Sequence, residues 1–544
     1  MNNFDEMIGK YREQLLRSIP RILSQIDRDP DSPTYGSFDR DFWHYKMRDF
    51  SSIVLQQGML VLDVLHDFDH PDNPLYRHPL AIQLIDASLG FWASQQLASG
   101  SFNEYYPFEE GYPPTAFSLY AVGLVFRKRG YPRPDGKLKT AIRKACEWLL
   151  DHPEHQAFNQ ESAGLAGLAM AARIPGVTVD AGRLEQRLAT FFAGQSPEGW
   201  FPEYGGPDLG YLSVTLDCLC DYHETTGDPR ATAAMERAVE FISHFIPVAG
   251  NTPVMINARN TDYIVPYGLV RLAVSNPMAA GIVRRVFGTA ASPLHFLAAT
   301  DDRYLCHYVY QSCFRALHHL PEMTGDETSL PCNTGGGFFF KESGIYVRHQ
   351  PARCSIFVAG KKGGVLYLYD SAGHADVDYG WRWKRSGGAV AVTHWQGGSM
   401  VSSHTADRDI DMLVVEGRMS VHRRYVPSPL RHLLLRLTAF VTGNRLVHRL
   451  KHAMIFNSPD AGVGYRREIS VEADRLVVTD RFDAAGSDDF QPVAAPHYSL
   501  RHVASAGSFS AEELLRVSEA RAVPGKDGEI AFEKQLLFEM IPCE

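Results

Sequence analysis

Residues 195–219 carry a tyrosine to the start of a helix, directly after two loops. Trp200 lies at the tip of the first loop, and the second loop is rich in glycine and proline. Tyr211 then begins a predicted helix whose apolar positions include Leu212 and Leu216. A phenol held at the loop end of a fixed helix can donate or accept a proton in a reaction. The alternative interpretation is that Tyr211 is an amphipathic residue that only begins the helix.

Four further stretches, 35–50, 101–112, 155–170 and 257–267, are dense in polar and aromatic residues. Each is predicted to lie where a loop meets a helix. Aromatic rings and amides suit the faces and hydroxyl groups of sugars, whereas arginine suits carboxylates and sulfates. The alternative for each stretch is aromatic packing between helices or an asparagine N-cap. The candidate residues in these stretches are His44, Arg48, Asn103, Glu104, Tyr105, Asn159, Arg259 and Tyr263.

A histidine in the second half of the chain is a further candidate for acid–base chemistry. His374 follows a predicted strand that ends at Asp370, so we expect it on a loop at a sheet edge. An imidazole there can act as a base or as a metal ligand. His394 and His404 follow at loose spacing, which is weak support for a divalent metal such as zinc. The sequence therefore requires no cofactor.

The pattern of apolar residues predicts two domains. Up to about residue 320 they recur at helical spacing, in helix hairpins with a period of roughly 50 residues. We expect an incomplete (α/α) toroid at 1–325, with the loops that carry the candidates gathered at one face. Strand-like segments separated by turn residues follow, and they predict an antiparallel β-sandwich at 326–544.

One segment, 427–452, does not fit the strand pattern. It reads as a leucine-rich helix that carries five basic residues and no acidic residue. It is interpreted either as a helix packed on the sheet with a solvated basic face, or as a peripheral contact with anionic lipid headgroups, or as a contact with an anionic glycan. The basic residues are Arg431, Arg436, Arg445, Arg449 and Lys451.

Composition narrows the class of protein. The chain has 544 residues, 45% of them hydrophobic, and a formal net charge of −9, which argues against a nucleic-acid partner. The eight cysteines form no CxxC pair and are interpreted as buried apolar residues in a reducing compartment. The N-terminus has no apolar signal region, and no run is long enough to span a bilayer, so we expect a cytoplasmic location. The oligomeric state cannot be predicted.

Common catalytic motifs are absent from the sequence, including GxSxG, HExxH, the P-loop and the EF-hand. The chain instead resembles the heparinase II/III-like polysaccharide lyases. The resemblance lies in the helix start at Asn159-Gln160, the stretch from Gly199 to Tyr211, and the loop around His374. Residues 35–50 resemble the members that are found with exopolysaccharide synthesis genes. Many relatives have Asn-His where this chain has Asn159-Gln160, so the role of that histidine does not carry over.

The resemblance implies cleavage of a uronic-acid-containing polysaccharide by β-elimination. Asn159 and Arg259 would neutralise the sugar carboxylate, and Tyr211 would act as the acid or also as the base. His374 is the alternative base. The partner would be an anionic polysaccharide or oligosaccharide. The residues expected to bind it are Arg48, His44, Asn103, Glu104, Tyr105, Trp200 and Tyr263.

Two other functions stay open at this point. A glycoside hydrolase on a similar helical ring would use two carboxylates, for which Glu104, Glu203 and Asp208 are candidates. The other function is a non-catalytic glycan-binding protein of exopolysaccharide assembly, with which the basic segment 427–452 agrees.

Overall fold

A helical N-terminal part is followed by antiparallel sheets, so the predicted fold class, an (α/α) toroid followed by an antiparallel β-domain, is confirmed. The structure is a computed structural model. It describes residues 3–129, 136–250, 252–253, 255–288, 300–323, 330–384, 390–397, 399–407, 410–422, 428–453, 459–472, 475–483, 492–494, 520–525 and 529–537.

The helices before the sheets are α1 (Asn3–Arg17), α2 (Ile19–Leu23), α3 (Arg40–Trp43), α4 (Gly58–Asp67), α5 (Pro79–Ser94), α6 (Tyr112–Arg129), α7 (Gly136–Asp151), α8 (Phe158–Ala171), α9 (Ala181–Ala193), α10 (Leu209–Thr226), α11 (Pro229–Ser243), α12 (Tyr267–Leu272), α13 (Pro277–Gly288), α14 (Tyr308–His319) and α15 (Pro331–Thr334). Short 3-10 helices lie at Ile53–Gln57, Asp302–Cys306, Leu320–Glu322 and Gly360–Lys362.

Every second helix belongs to an inner ring. Helix α4 packs on α6, α6 on α8, α8 on α10, α10 on α12 and α12 on α14, and α14 packs back on α4. The helices between them in sequence, α5, α7, α9, α11 and α13, pack on the outside. An inner helix has neighbours on several sides, so α6 and α8 are buried along nearly their whole length. The ring brings the loops between helices to its two ends.

Close approach of the inner helices depends on glycine. Gly268 on α12 lies against the backbone of α10, where a Cβ atom would come within 2.7 Å of the Leu216 carbonyl carbon. The same approach lets the Gly268 amide donate to the Asp217 carboxylate at 2.7 Å. A side chain at this position would separate two inner helices.

Two antiparallel sheets follow the ring. The first has the order β1-β2-β3-β4-β5, and the second has β12-β6-β7-β9-β10-β11-β14-β13, with β8 paired to β9. The strands are β1 (Gly336–Phe340), β2 (Ile345–Gln350), β3 (Cys354–Ala359), β4 (Val365–Asp370), β5 (Ala375–Asp378), β6 (Trp381–Lys384), β7 (Val390–Val392), β8 (Ser399–Asp407), β9 (Ile410–His422), β10 (Asp460–Val471), β11 (Arg475–Asp483), β12 (Pro492–Ala494), β13 (Arg521–Val523) and β14 (Glu529–Leu537).

The central strands β3 and β4 of the first sheet are buried on both faces, which explains why they read as continuous apolar runs. Phe357 and Tyr367 pack into the same core as the helical ring. Ile356 and Leu366, their neighbours in sequence, point to the other side and pack against the second sheet. Alternate residues of each strand therefore join the toroid to the sandwich.

The segment 427–452 lies between β9 and β10. It contains α16 (Pro429–Thr442) and α17 (Asn444–Lys451), which pack on one another. None of the helices that the structure describes is long and apolar enough to cross a membrane. The domain boundary at 325/326 stays a prediction; the first strand begins at Gly336.

Substituting Gly268 by alanine tests the close packing of the ring. The added methyl group would meet backbone atoms of Leu216 and Asp217, which cannot move aside as a flexible side chain could. We expect Gly268→Ala to lower the free energy of unfolding by about 1–3 kcal/mol, measured by urea denaturation.

Gly90→Ala is the matched control, because Gly90 also lies in a helix but has no atom within 4 Å of its Cβ position. This variant should be as stable as the parent or slightly more stable. Equal effects of the two substitutions would contradict the packing argument.

Candidate active site

Asp208 ties the start of α10 to the loop that carries Arg259. Its side chain caps the helix by accepting the Tyr211 amide at 3.1 Å. The same carboxylate accepts the Arg259 amide at 3.0 Å and the Thr261 hydroxyl group. The two predicted residues Tyr211 and Arg259 are therefore held by one buried group.

Arg259 lies over an aromatic ring that also faces a second cation. Its guanidinium carbon is 4.7 Å from the centre of the Tyr204 ring, and the Lys451 ammonium is 5.7 Å from the same centre. The Tyr204 hydroxyl accepts a hydrogen bond from Gln160 at 3.1 Å. The Nε atom of Arg259 is buried and has no partner among the described protein atoms.

Asn159 lies in the first turn of α8 but does not cap it, since Ala157 occupies the cap position. Glu203, on the neighbouring loop, caps the helix, because its Oε1 atom accepts a hydrogen bond from the Asn159 backbone amide at 2.6 Å. The side-chain oxygen of Asn159 and the Oε2 atom of Glu203 are buried without a partner in the described part of the chain. The alternative interpretation of Asn159 as an N-cap is therefore not what the structure shows.

Tyr211 is half-buried and packs beside two other tyrosines. Tyr263 and Tyr308 share a hydrogen bond of 2.6 Å between their hydroxyl groups. Burial raises the pKa of Tyr211 well above its ordinary value, and the Tyr263 hydroxyl raises it further, whereas the charge of Arg259 opposes the shift. Tyr211 is thus a protonated phenol at neutral pH, suited to donate a proton.

The charge of Lys451, which faces the Tyr204 ring, also acts on a pair of buried glutamates, Glu104 and Glu109. The Glu109 carboxylate accepts the amides of Glu104 and Tyr105, each at 2.8 Å. Burial raises the pKa of both glutamates, and the charge of Glu109 raises the pKa of Glu104 further, while Lys451 opposes both shifts. The Oε2 atom of Glu104 is a further buried oxygen with no described partner.

The β-domain contributes two cations to the site. Lys451 on α17 donates to Glu154 at 2.6 Å and reaches the Tyr204 ring. Lys362 donates to the carbonyl oxygen of Asn257 and to the side chain of Asn260, which fixes the loop around Arg259 from the other side. Burial lowers the pKa of Lys362 to about 7.

Several predicted residues lie outside this group or support it indirectly. Arg48 pairs with Asp39 at 2.6 Å and with Asp41 at 3.2 Å, so its charge is already balanced. His44 is exposed and packs on its neighbours Trp43 and Tyr45.

Asn103 and Tyr105 belong to the loop around the glutamate pair. The Asn103 side chain accepts the Glu109 amide at 3.0 Å, and it therefore shapes the loop. Tyr105 is exposed at the surface of the same loop.

Trp200, which we predicted to bind the glycan, is instead buried where the ring meets the β-domain. Its indole donates to Glu198 at 2.8 Å, and the Glu198 carboxylate accepts the amides of Glu342 and Ser343. A ring that is 8% exposed offers no open face to a sugar. This turn fastens the two domains together.

His374 lies on an exposed turn between β4 and β5. Its Nδ1 atom is 3.0 Å from the Asp370 carboxylate, in the same hairpin. The structure shows no contact between this imidazole and the Tyr211 group in the part of the chain that it describes. The loop that does reach the site from the β-domain carries Gln396, whose amide donates to the carbonyl oxygen of Gly205 at 3.4 Å, with the buried His394 two residues before it.

No metal ligand set accompanies these residues. Within the described ranges, no group of three or more histidine, cysteine, aspartate or glutamate side chains is placed to hold a metal ion. The seven described cysteines are buried, and none of them forms a disulfide bond within the described residues.

No family model matches the chain, and no curated protein matches it. Solved structures of similar fold include the chondroitin AC lyase of Streptomyces coelicolor A3 in complex with chondroitin sulphate, at 12% identity and a TM-score of 0.49, covering 88% of this chain and 67% of that one. Heparinase III matches at 10% identity and a TM-score of 0.41, covering 88% and 77%. A β-L-arabinofuranosidase from Geobacillus stearothermophilus T6 matches at 11% identity and a TM-score of 0.38, covering 79% and 94%.

The glutamate pair predicts a pH-dependent effect of Glu104→Gln on stability. The pKa of the Glu104 carboxyl is raised in the folded state. Such a group stabilises the fold at a pH below its ordinary pKa, and this stabilisation is lost as the pH rises through the raised pKa. Glu104→Gln removes one of the two carboxylate charges of the glutamate pair. We expect the urea midpoint of Glu104→Gln to improve relative to the parent between about pH 5 and about pH 8.

Glu236→Gln is the control, because Glu236 lies exposed on α11. Its midpoint should follow that of the parent at every pH. A constant difference between Glu104→Gln and the parent across this range would contradict the proposed protonation of the pair.

Proposed function

We propose that the chain is a polysaccharide lyase that cleaves a uronic-acid-containing glycan by β-elimination at the group formed by Tyr211, Asn159 and Arg259. One observation carries the proposal. Two buried polar atoms of this group have no partner among the described residues: the Nε atom of Arg259, whose charge acts on the phenol of Tyr211, and the Oδ1 atom of Asn159, whose backbone amide is bound by Glu203 in the neighbouring loop. Buried polar atoms are almost always hydrogen-bonded, so such a concentration is typical of a ligand site.

A uronate sugar offers partners of both kinds: its carboxylate can accept from the unpartnered Nε atom of Arg259, and its hydroxyl groups can donate to the unpartnered Oδ1 atom of Asn159. The Arg259 guanidinium and the Asn159 amide can both donate to carboxylate oxygens, and charge-assisted hydrogen bonds of this type are strong. Withdrawing charge from the carboxylate makes the neighbouring C5 proton more acidic and stabilises the enolate that forms when the proton leaves. The cation of Arg259 and the amide of Asn159 would supply this stabilisation.

Elimination then breaks the C5–H and C4–O bonds of the sugar. A base removes the C5 proton, a double bond forms between C4 and C5, and the C4–O bond breaks. The leaving oxygen takes a proton from an acid, so that it departs as a neutral hydroxyl group, while the carboxylate of the uronate keeps its charge. The raised pKa of Tyr211 favours this phenol as the acid.

Two groups can serve as the base. Tyr211 itself could remove the proton after ionising, and Glu203 has an unpartnered oxygen beside Asn159. Burial raises the pKa of both groups. His374 is not part of the proposal, because its contacts lie in its own hairpin.

The charges around the group favour an anionic glycan. Arg259 and Lys451 both face the Tyr204 ring, against which a sugar could pack. The resemblance of residues 35–50 to proteins found with exopolysaccharide synthesis genes favours a substrate of that class.

Replacing the phenol of Tyr211 tests the assignment of the acid. With the protein incubated with uronic-acid polymers, the absorbance of the unsaturated product gives the rate. Tyr211→Phe keeps the ring but removes the proton, so we expect kcat to fall by about 100- to 10,000-fold while KM changes little.

Tyr76→Phe, at a half-buried tyrosine on another loop, should retain the rate of the parent. A Tyr211→Phe variant with undiminished activity would remove this residue from the mechanism and leave Glu203 as the remaining proton-transfer candidate.

The pH dependence of the rate tests the state of the base. Because burial raises the pKa of both candidate bases, the ionised fraction of either base continues to increase with pH well above its ordinary range. We therefore expect kcat to rise with pH from neutral to alkaline conditions. KM should rise over the same range, since the glutamate pair loses its proton and repels an anionic substrate. A kcat that is flat or falls above neutrality would contradict this account.

A glycoside hydrolase is the second candidate, and the unpartnered oxygens of Glu104 and Glu203 favour it. The product distinguishes the two reactions, because hydrolysis gives new reducing ends without a double bond. The third candidate is a glycan-binding protein without activity. Glycan binding with neither kind of product would support that function.

A further inference from the structure

Helix α16 turns an apolar face to solvent. Leu430, Leu433, Leu434, Leu437, Phe440 and Val441 are all exposed, with Phe440 at 70% and Val441 at 81%. At 3.6 residues per turn these positions fall on one arc of the helix, and Arg431 and Arg436 lie on its two sides. Ala439 is the residue of this helix that is buried against the protein.

Polar contacts fix the orientation of this helix, so the apolar face points outward in a defined direction. Arg436 binds Asp49 of the ring through two hydrogen bonds of 2.6 and 2.8 Å. The next helix, α17, is held to the ring by hydrogen bonds from Asn444 to Glu110 and from Lys451 to Glu154. The ring therefore holds α16 at its middle, through Arg436, and holds the next helix, α17, at its two ends.

The apolar surface extends from α16 onto the ring. Phe108, on the loop with the glutamate pair, lies 5.1 Å from Phe440 in an edge-to-face contact and is itself exposed. Met47, two residues from Asp49, is 73% exposed. A continuous apolar patch of this kind on a soluble protein marks a contact surface.

Charge distinguishes between the occupants that could cover this patch. Residues 428–453 contain no aspartate or glutamate, whereas the whole chain has a net charge of −9. A second copy docked symmetrically would bring two basic helices against each other, which is unfavourable. An anionic bilayer offers both an apolar layer for the leucines and negative headgroups for the arginines.

We propose that α16 docks on the surface of an anionic lipid bilayer, with the apolar arc in the interface and Arg431 and Arg449 at the headgroups. The proposal goes beyond the lyase function and does not depend on it. Because α17 continues from α16 and carries Lys451 to the site, docking holds the site close to the lipid surface. A glycan that is attached to or emerges from a membrane would then lie within reach.

Co-sedimentation of the full chain with vesicles tests the proposal. We expect binding to vesicles of equal parts phosphatidylglycerol and phosphatidylcholine, at least about tenfold stronger than to phosphatidylcholine alone, and weakened by salt. The double variant Leu434→Ser/Leu437→Ser should bind at least about tenfold more weakly than the parent. Both leucines are exposed, so its circular dichroism and thermal midpoint should match those of the parent.

Leu80→Ser/Val274→Ser is the matched control, since it removes two exposed apolar side chains elsewhere on the ring and should bind as the parent does. Tyr211→Phe should also bind as the parent does, which keeps this test separate from that of the lyase function. Absence of binding to anionic vesicles would overturn the proposal, as would equal losses in the two double variants. A dimer that Leu434→Ser/Leu437→Ser converts to a monomer, without vesicle binding, would show that a second copy covers the patch.

Discussion

The carboxylate of Asp208 is the contact on which the candidate site depends. It has no exposed surface, and its two oxygens hold the first turn of α10 and the loop 257–261 at once. The Tyr211 phenol and the Arg259 guanidinium belong to segments 48 residues apart in sequence, so neither segment could fix the other locally. Gly210 allows this arrangement, because a Cβ atom there would meet the Thr261 hydroxyl at 2.5 Å.

The β-domain acts as the second half of this arrangement. Lys362 reaches from its 3-10 helix into the ring and binds the backbone and side chain of the 257–261 loop. A buried lysine loses solvation, which is why its pKa falls to about 7, but the nearby Asp208 limits that loss. Segment 427–452 adds a further cation, Lys451, which binds Glu154 of the ring. The ring alone would therefore lack two of the cations around the site.

The helical ring and the sheets could be predicted because each follows from a local period of apolar residues. The places of Tyr211 and Asn159 in the first turn of a helix, directly after a loop, could also be predicted; their roles in a reaction stay a proposal. For the candidates that lie outside the site, the sequence did not predict the direction in which the side chain points. Trp200 is an aromatic residue of the kind that can bind a sugar, but its indole donates to Glu198 at the contact with the β-domain. The charge of Arg48 is balanced by Asp39 and Asp41. Both acids lie in the same stretch of sequence, so this pairing could have been predicted.

The remaining residues depend on contacts across the fold. Lys362 binds a loop 105 residues before it, and Lys451 binds Glu154 across 297 residues. No local period or motif encodes such a pairing. The sequence indicates Glu203 only as a candidate hydrolase carboxylate, because its role at the start of α8 requires two loops to meet. Pairings of this kind become visible only when the ring and the sheets are in place.

Strain and unpartnered polar atoms occur together in this molecule. Phe108, Glu110, Tyr204 and Asn260 have positive φ angles, and all four lie on the loops that build the site. Such a conformation costs about 1–3 kcal/mol for a residue other than glycine, and a buried polar atom without a partner costs a similar amount. Surrounding contacts must over-determine these loops for the strain to persist. Asp208, Lys362 and the Glu109 carboxylate supply such contacts, so the rigid ring and sandwich hold a site whose local structure is unfavourable by itself.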